Sequence, residues 1–212
     1  MKNYLAIDTC GNYLTVLAQK DGKSYTTFIE NCAMKQAVLL MSAIDETLQK
    51  ADMTLKDCDF FAVVVGAGSF TGIRIGISAV KGFCVATGKP ALPVTSFDLA
   101  AYNAIDEEEK GKILCLVDAL HDAYYACGYQ DGEVVFPPAY LTEEETLRFA
   151  QEGYVLRACG ELPLSARVQV EKKDPVEGLR VAVERLAKKN AFGELKAVYA
   201  RKSSAELNLE KA

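Results

Sequence analysis

Phe60-Phe-Ala-Val-Val-Val65, then Gly66-Ala-Gly-Ser-Phe-Thr-Gly72, then Ile73-Arg-Ile-Gly-Ile-Ser-Ala-Val-Lys-Gly-Phe-Cys-Val-Ala-Thr87 decides the fold class. A continuous apolar run rich in β-branched residues reads as a central strand buried on both faces, which is the signature of parallel pairing. The glycine segment turns it into a helix, closed by Gly88 and Pro90. Strand, tight glycine turn and helix in immediate succession place the chain in the α/β class.

Upstream, Tyr4–Asp8 reads as a buried strand, Tyr13–Gln19 as a second after Gly11-Asn12, and Lys23–Ile29 as a third after Asp21-Gly22, a meander of hairpins. From 33 to 50, apolar residues at 37, 40, 41, 44 and 48 keep helical spacing. The first hundred residues therefore spell βββαβα. Downstream the order recurs: strands at 112–117, 123–129 and 133–136, a helix to Gln151 opened by the capping box Thr142-Glu-Glu-Glu145, a strand at 154–159, and an amphipathic helix at 175–189. A duplicated two-lobe domain is expected, with lobes at 1–105 and 106–212 joined near Asp106-Glu-Glu-Glu-Lys110, and with the final helix able to pack back on the first lobe. A single irregular α/β domain is the alternative.

Composition narrows the function. Of 212 residues half are apolar or aromatic and a quarter charged, a globular balance, and the net charge of −5 argues against a chain that grips nucleic acid alone. Lys172-Lys173 and Lys188-Lys189 read as solvated faces. The apolar run before Asp8 is too short for a signal-peptide core, and Arg74 and Lys81 interrupt the longest apolar stretch, so a cytoplasmic protein without a membrane span is expected. Seven scattered cysteines, none in a C-x-x-C pair, read as reduced core thiols.

The glycine segment is the most specific local feature. Glycines after a strand let backbone approach a ligand, and the helix start beyond them offers amide donors to an anion. Gly66, Gly68, Ser69, Thr71 and Gly72 are the candidate anion site. Thr71 stands where a dinucleotide fingerprint needs its third glycine, and no Gly-Lys-Ser/Thr follows. The other reading is a tight turn with close helix packing, since Gly72 and Gly76 share one helix face. Asp8 and Thr9, ending the first strand, could face a metal-bound phosphate between lobes, or simply cap the turn at Gly11-Asn12. His121 is the sole histidine, so no histidine metal cluster is available. A triad built on it with Asp118 or Asp122 lacks the Gly-x-Ser-x-Gly elbow.

Val38-Leu-Leu-Met41 is apolar on every side of its helical turn, and the second helix repeats the surplus with Ile73, Ile75, Ile77, Val80, Phe83 and Val85. A subunit interface is expected through Val38, Leu39 and Met41 and through Arg74, Ile77 and Lys81 of the second helix, with Leu39 placed off the core stripe of Leu40 and Ile44. A thicker core beneath the second lobe is the alternative.

Leu5-Ala-Ile-Asp-Thr9, Gly66-Ala-Gly-Ser-Phe-Thr-Gly-Ile-Arg-Ile-Gly76, Lys81-Gly82 and Tyr199-Ala-Arg201 resemble the TsaB (YeaZ-like) family, a subunit used in making N6-threonylcarbamoyladenosine in tRNA. The resemblance implies an actin-like ATPase fold (ASKHA, RNase H-like) of two related lobes. It implies a non-catalytic scaffold for TsaD, the paralogue that performs the transfer, with TsaE as ATPase, tRNA reached only through the complex, and a homodimer in isolation. It also implies no cofactor and no metal, because Ser96 and Ala100 stand where TsaD carries two metal-binding histidines. Departures from the family pattern are Lys35-Gln36 for a His-Ser pair, Leu120 for an arginine, and Asp122-Ala123 for Gly-Glu. The rivals are an actin-like nucleotide-dependent phosphotransferase using Asp8 and the Gly66–Gly72 loop, or a degenerate glycoprotease-like protein, a label that the missing metal-binding histidines count against. Against the phosphotransferase stands the second lobe, where glycines occur only singly.

Overall fold

The computed structural model describes residues 2–106 and 111–200. In the first lobe, strands β1 (Tyr4–Asp8), β2 (Tyr13–Lys20) and β3 (Lys23–Glu30) form the meander, followed by α1 (Gln36–Lys50), β4 (Phe60–Val64), α2 (Phe70–Thr87), β5 (Ala91–Val94) and α3 (Ser96–Asp106). The second lobe repeats β6 (Lys112–Asp118), β7 (Ala123–Gln130), β8 (Glu133–Thr142), α4 (Glu143–Gln151), β9 (Val155–Ala158), β10 (Val170–Lys172) and α5 (Pro175–Lys188). Each lobe holds a five-stranded sheet, in order β3-β2-β1-β4-β5 and β10-β9-β6-β7-β8. Read from its β8 edge, the second order matches the first strand for strand. β1 runs antiparallel to β2 and parallel to β4, which in turn runs parallel to β5.

The repeat is therefore βββαβαβα, one strand and one helix longer than the βββαβα expected. The helix at 175–188 is accordingly the counterpart of α3, and the place of α2 in the second lobe is taken by a single 3-10 turn, Pro163–Ala166. The last helix of each lobe crosses to the other. α3 packs on β6, β7 and β9, α5 on β1, β2 and β5, and the two helices lie against each other. The expected junction falls largely at 107–110, outside the described residues.

Alternation along the second sheet shows how the lobes share a core. Ile113 and Cys115 of β6, with Tyr125, Cys127 and Tyr129 of β7, join the large cluster that includes Leu5, Ile7, Val63, Phe97 and Val183. Leu114, Leu116, Tyr124 and Ala126 point the other way, into a smaller cluster beneath α4 and the 3-10 turn. Across the shared core, the Tyr129 hydroxyl donates to Asp98 Oδ1 at 2.9 Å, and Asp98 Oδ2 accepts from the amide and hydroxyl of Thr95. Five cysteines are buried and all seven carry free thiols.

Local chemistry ends the helices. Ser69 caps α2 by accepting from Gly72 N, and Gly88 closes it at φ 70°. Asp174 accepts from Val176 N and Glu177 N at the start of α5. α2 is long and apolar enough to cross a membrane, but Ile73, Gly76, Ile77, Val80 and Phe83 are buried in the core and the helix packs on β4.

Candidate functional site

Because β1, β4 and β5 are parallel, their carboxyl ends lie together, and so do the segments that follow them: Thr9-Cys10, Gly66–Gly72 and Thr95-Ser96. This is where an α/β sheet ordinarily receives ligand. Here the space is occupied by the chain itself. A Cβ on Gly72 would meet the Thr9 carbonyl oxygen at 1.9 Å, one on Gly68 the Cys10 carbonyl oxygen at 2.5 Å, and one on Gly66 the Val198 carbonyl oxygen at 2.5 Å. Gly66 and Gly68 also adopt φ of 117° and 149°, which disfavours any side chain.

Hydrogen bonds close the same packing. Ser69 N donates to Cys10 O at 2.9 Å, Thr9 Oγ1 to Gly72 O at 2.7 Å, Ser96 N to Gly66 O at 2.7 Å, and Ser96 Oγ to Ala67 O at 2.6 Å. The carbonyls of Gly66, Ala67 and Gly72 and the amide of Ser69 are thus spent on neighbouring chain. Of the candidate loop residues, Ser69 and Thr71 are exposed to solvent.

Asp8 is 1% exposed. Its Oδ1 accepts from Cys10 N at 2.8 Å, while Oδ2 makes no hydrogen bond of normal geometry. Burial pushes its carboxyl above the usual range, opposed by the Cys10 amide and the nearby Tyr13 hydroxyl. The Cys159 thiol, beyond β9, is pushed up by burial and next by the Asp8 charge, so the end of β9 faces the end of β1 across the lobes. Asp98 is likewise pushed up by burial, against the hydrogen bonds from Thr95 and Tyr129. Ser96 and Ala100, at the histidine positions of the resemblance, serve the Ala67 carbonyl and the core respectively. Among the described residues, no group of three or more His, Cys, Asp and Glu could hold a metal ion. Surface depressions of about 420 Å³ beside Leu147 and Arg167 and about 330 Å³ beside Tyr102 and Arg185 touch neither Asp8 nor the glycine loop.

Asp118 Oδ1 accepts from Leu120 N, and Leu120, His121 and Asp122 all have positive φ in the β6–β7 turn. His121 is an exposed turn residue with no carboxylate bonded to it among the interactions described.

The expected interface residues divide. Val38 is 80% exposed and Met41 is exposed, one helical repeat apart on α1, and Met34, which precedes the helix, is 96% exposed. Leu39 does not stand clear of the core as expected. It is half-buried against the main cluster, because it flanks Leu40 and the buried stripe of α1 is wide enough to include it. Ile77 is corrected outright: at 7% exposure it lies with Ile73 and Val80 on the stripe packed into the core. The outward face of α2 is carried instead by Arg74, Ser78, Lys81 and Val85. One contact had no local signal. Tyr199 stacks on Phe70 and its hydroxyl accepts from Arg74 Nε, joining positions 125 residues apart.

Residues 30–204 match the TsaD family, described as tRNA N6-adenosine threonylcarbamoyltransferase. The tRNA threonylcarbamoyladenosine biosynthesis protein TsaB of Buchnera aphidicola is 31% identical over 115 residues, covering 54% of this chain and 54% of that protein. The match spans about half the length of that relative. The solved structure of YeaZ from Pseudomonas aeruginosa aligns with a TM-score of 0.72 at 22% identity, over 94% of this chain and 100% of that one. An inorganic polyphosphate/ATP-glucomannokinase from Arthrobacter aligns with a TM-score of 0.52 at 12% identity, over 89% and 100%. These two likenesses show a shared two-lobe α/β fold.

Proposed function

The chain belongs to the TsaD family, in its TsaB/YeaZ branch, and from that membership we propose that it is a non-catalytic subunit for forming N6-threonylcarbamoyladenosine in tRNA. In this reading the first lobe, 1–105, docks a TsaD-type paralogue that performs the transfer, and a TsaE-type ATPase completes the assembly. tRNA is reached only through the complex, in keeping with the net charge of −5. The chain alone self-associates through the same face.

The observation that carries the reading is the bare apolar surface of Val38 and Met41, on a helix whose opposite face lies in the core, with the exposed Met34 just before its start. An apolar surface of this kind is stabilised by burial against a partner. The packing of the glycine loop supports the scaffold over a phosphotransferase. Asp8 and Thr9 are sealed beneath it, and the loop glycines are filled by Thr9, Cys10 and Val198.

The test mixes the purified chain with a TsaD-type paralogue and follows complex formation by calorimetry. Wild type should bind, and Val38→Glu should bind at least about a hundredfold more weakly, because docking would bury an unpaired charge. Its circular dichroism should be native, since the residue is exposed in the single chain, while its self-association is lost. Failure of wild type to bind contradicts the proposal.

A further inference from the structure

Beyond α5 the chain turns back over the first lobe. Gly193 N donates to Ala91 O at 3.1 Å, Leu195 is buried, and Val198 N donates to Val65 O at 2.7 Å while its own carbonyl lies over Gly66. This path delivers Tyr199 to the first turns of α2. Its ring stacks on Phe70 with centroids 4.6 Å apart and planes 13° from parallel. Arg74 lies against both rings, its guanidinium carbon 5.9 Å from the Tyr199 centroid and 6.0 Å from that of Phe70. Arg74 Nε donates to the Tyr199 hydroxyl at 3.2 Å.

Arg74 is exposed and forms no ion pair among the described residues. It sits on a helix whose only charges are Arg74 and Lys81, in a chain of net charge −5. With Nε engaged and the guanidinium set beside two rings, the two terminal nitrogens make no hydrogen bond to the described residues and can form a fork, the geometry that matches a carboxylate. A free arginine would lose rotamer freedom on docking, and one already splinted loses less.

We propose that Tyr199 is a positioning residue that holds Arg74 ready for a carboxylate on the docking partner, so that the returning C-terminal segment forms part of the interface. The inference rests on the scaffold reading above and adds the chemistry of the contact: an acidic group set opposite Arg74, beside the apolar contact made by Val38 and Met41.

The test measures affinity for the TsaD-type paralogue at low and high salt for wild type, Arg74→Gln, Tyr199→Phe and the double variant, with melting followed for each. Arg74→Gln should weaken binding about tenfold and flatten its salt dependence. Tyr199→Phe keeps the stacked ring and removes only the acceptor hydroxyl. It should weaken binding about threefold, and the double variant should bind no worse than Arg74→Gln alone. Circular dichroism should stay native in all three variants, with melting lowered by no more than a few degrees. Unchanged affinity in either single variant overturns the proposal, as does a Tyr199→Phe loss that persists undiminished without Arg74, which would make Tyr199 a structural brace only. In either case wild-type binding leaves the scaffold reading standing. A wild type that does not bind removes both.

Discussion

Replacing Gly72 and Gly82 by alanine tests the close-packing account of the glycine loop within a single helix. Both glycines lie in α2, so helix propensity alone predicts the same effect at each, a gain of about 0.5–1 kcal/mol. The surroundings differ. A Cβ on Gly82 meets nothing within 4 Å, whereas one on Gly72 meets the Thr9 carbonyl oxygen at 1.9 Å. To restore ordinary contact at 3.4 Å, backbone must retreat by about 1.5 Å, and the Thr9 Oγ1 to Gly72 O hydrogen bond goes with it. Because the obstacle is backbone in the central strand end, the cost should reach the upper end of overpacking, about 3 kcal/mol or more. In a chain of this size that lowers the melting temperature by roughly 6–12 °C, while Gly82→Ala raises it by roughly 1–4 °C. Thermal unfolding followed by circular dichroism reads both. Gly72→Ala as stable as wild type would refute the reasoning, because the loop would then have room that the packing denies.

Two further outcomes follow from the buried polar groups. Asp8 titrates above its ordinary 3.8 because of burial, so the folded chain holds a proton that the unfolded chain has released. The stability contributed by this group therefore falls as pH rises through that window. Asp8→Asn should flatten the wild-type decline in urea midpoint from pH 4 upward, and a slope identical in both proteins contradicts the assignment. Tyr129→Phe removes the hydroxyl that joins the lobes through Asp98 and should cost about 1–3 kcal/mol in urea unfolding. No loss would mean that the pairing contributes nothing to holding the lobes.

Periodicity and turn chemistry made most of the first lobe readable. The run at 60–65, the glycine turn and the helix beyond appear as β4, the loop and α2, and the hairpins fall within a residue of their expected ends. α3 was missed because its buried residues, Phe97, Leu99, Ala100, Ala101 and Tyr102, follow one another almost without a polar face. That is the composition of a helix covered by both lobes, and its amphipathic period is hard to read over so short a stretch. β5 is four residues long with Pro93 inside, tolerable because it is an edge strand. β8 likewise runs through Pro137 and Pro138 at the opposite lobe's edge, past the expected stop at Phe136. At the site, the glycines announced a close approach, but what approaches comes from Thr9, Cys10 and Val198, and no local pattern identifies such distant partners. The inward turn of Ile77 was within reach, since 73, 77 and 80 share one stripe. The pairing of Arg74 with Tyr199 was not, because it depends on where a long return segment ends.

The most direct test of the scaffold account is mass spectrometry of N6-threonylcarbamoyladenosine in tRNA from cells depleted of this chain and supplied with either wild type or Val38→Glu. The account predicts that wild type restores the modified nucleoside, while Val38→Glu, expressed and folded to the same level, leaves tRNA unmodified. Full restoration by Val38→Glu, or unmodified tRNA in cells supplied with wild type, would contradict it.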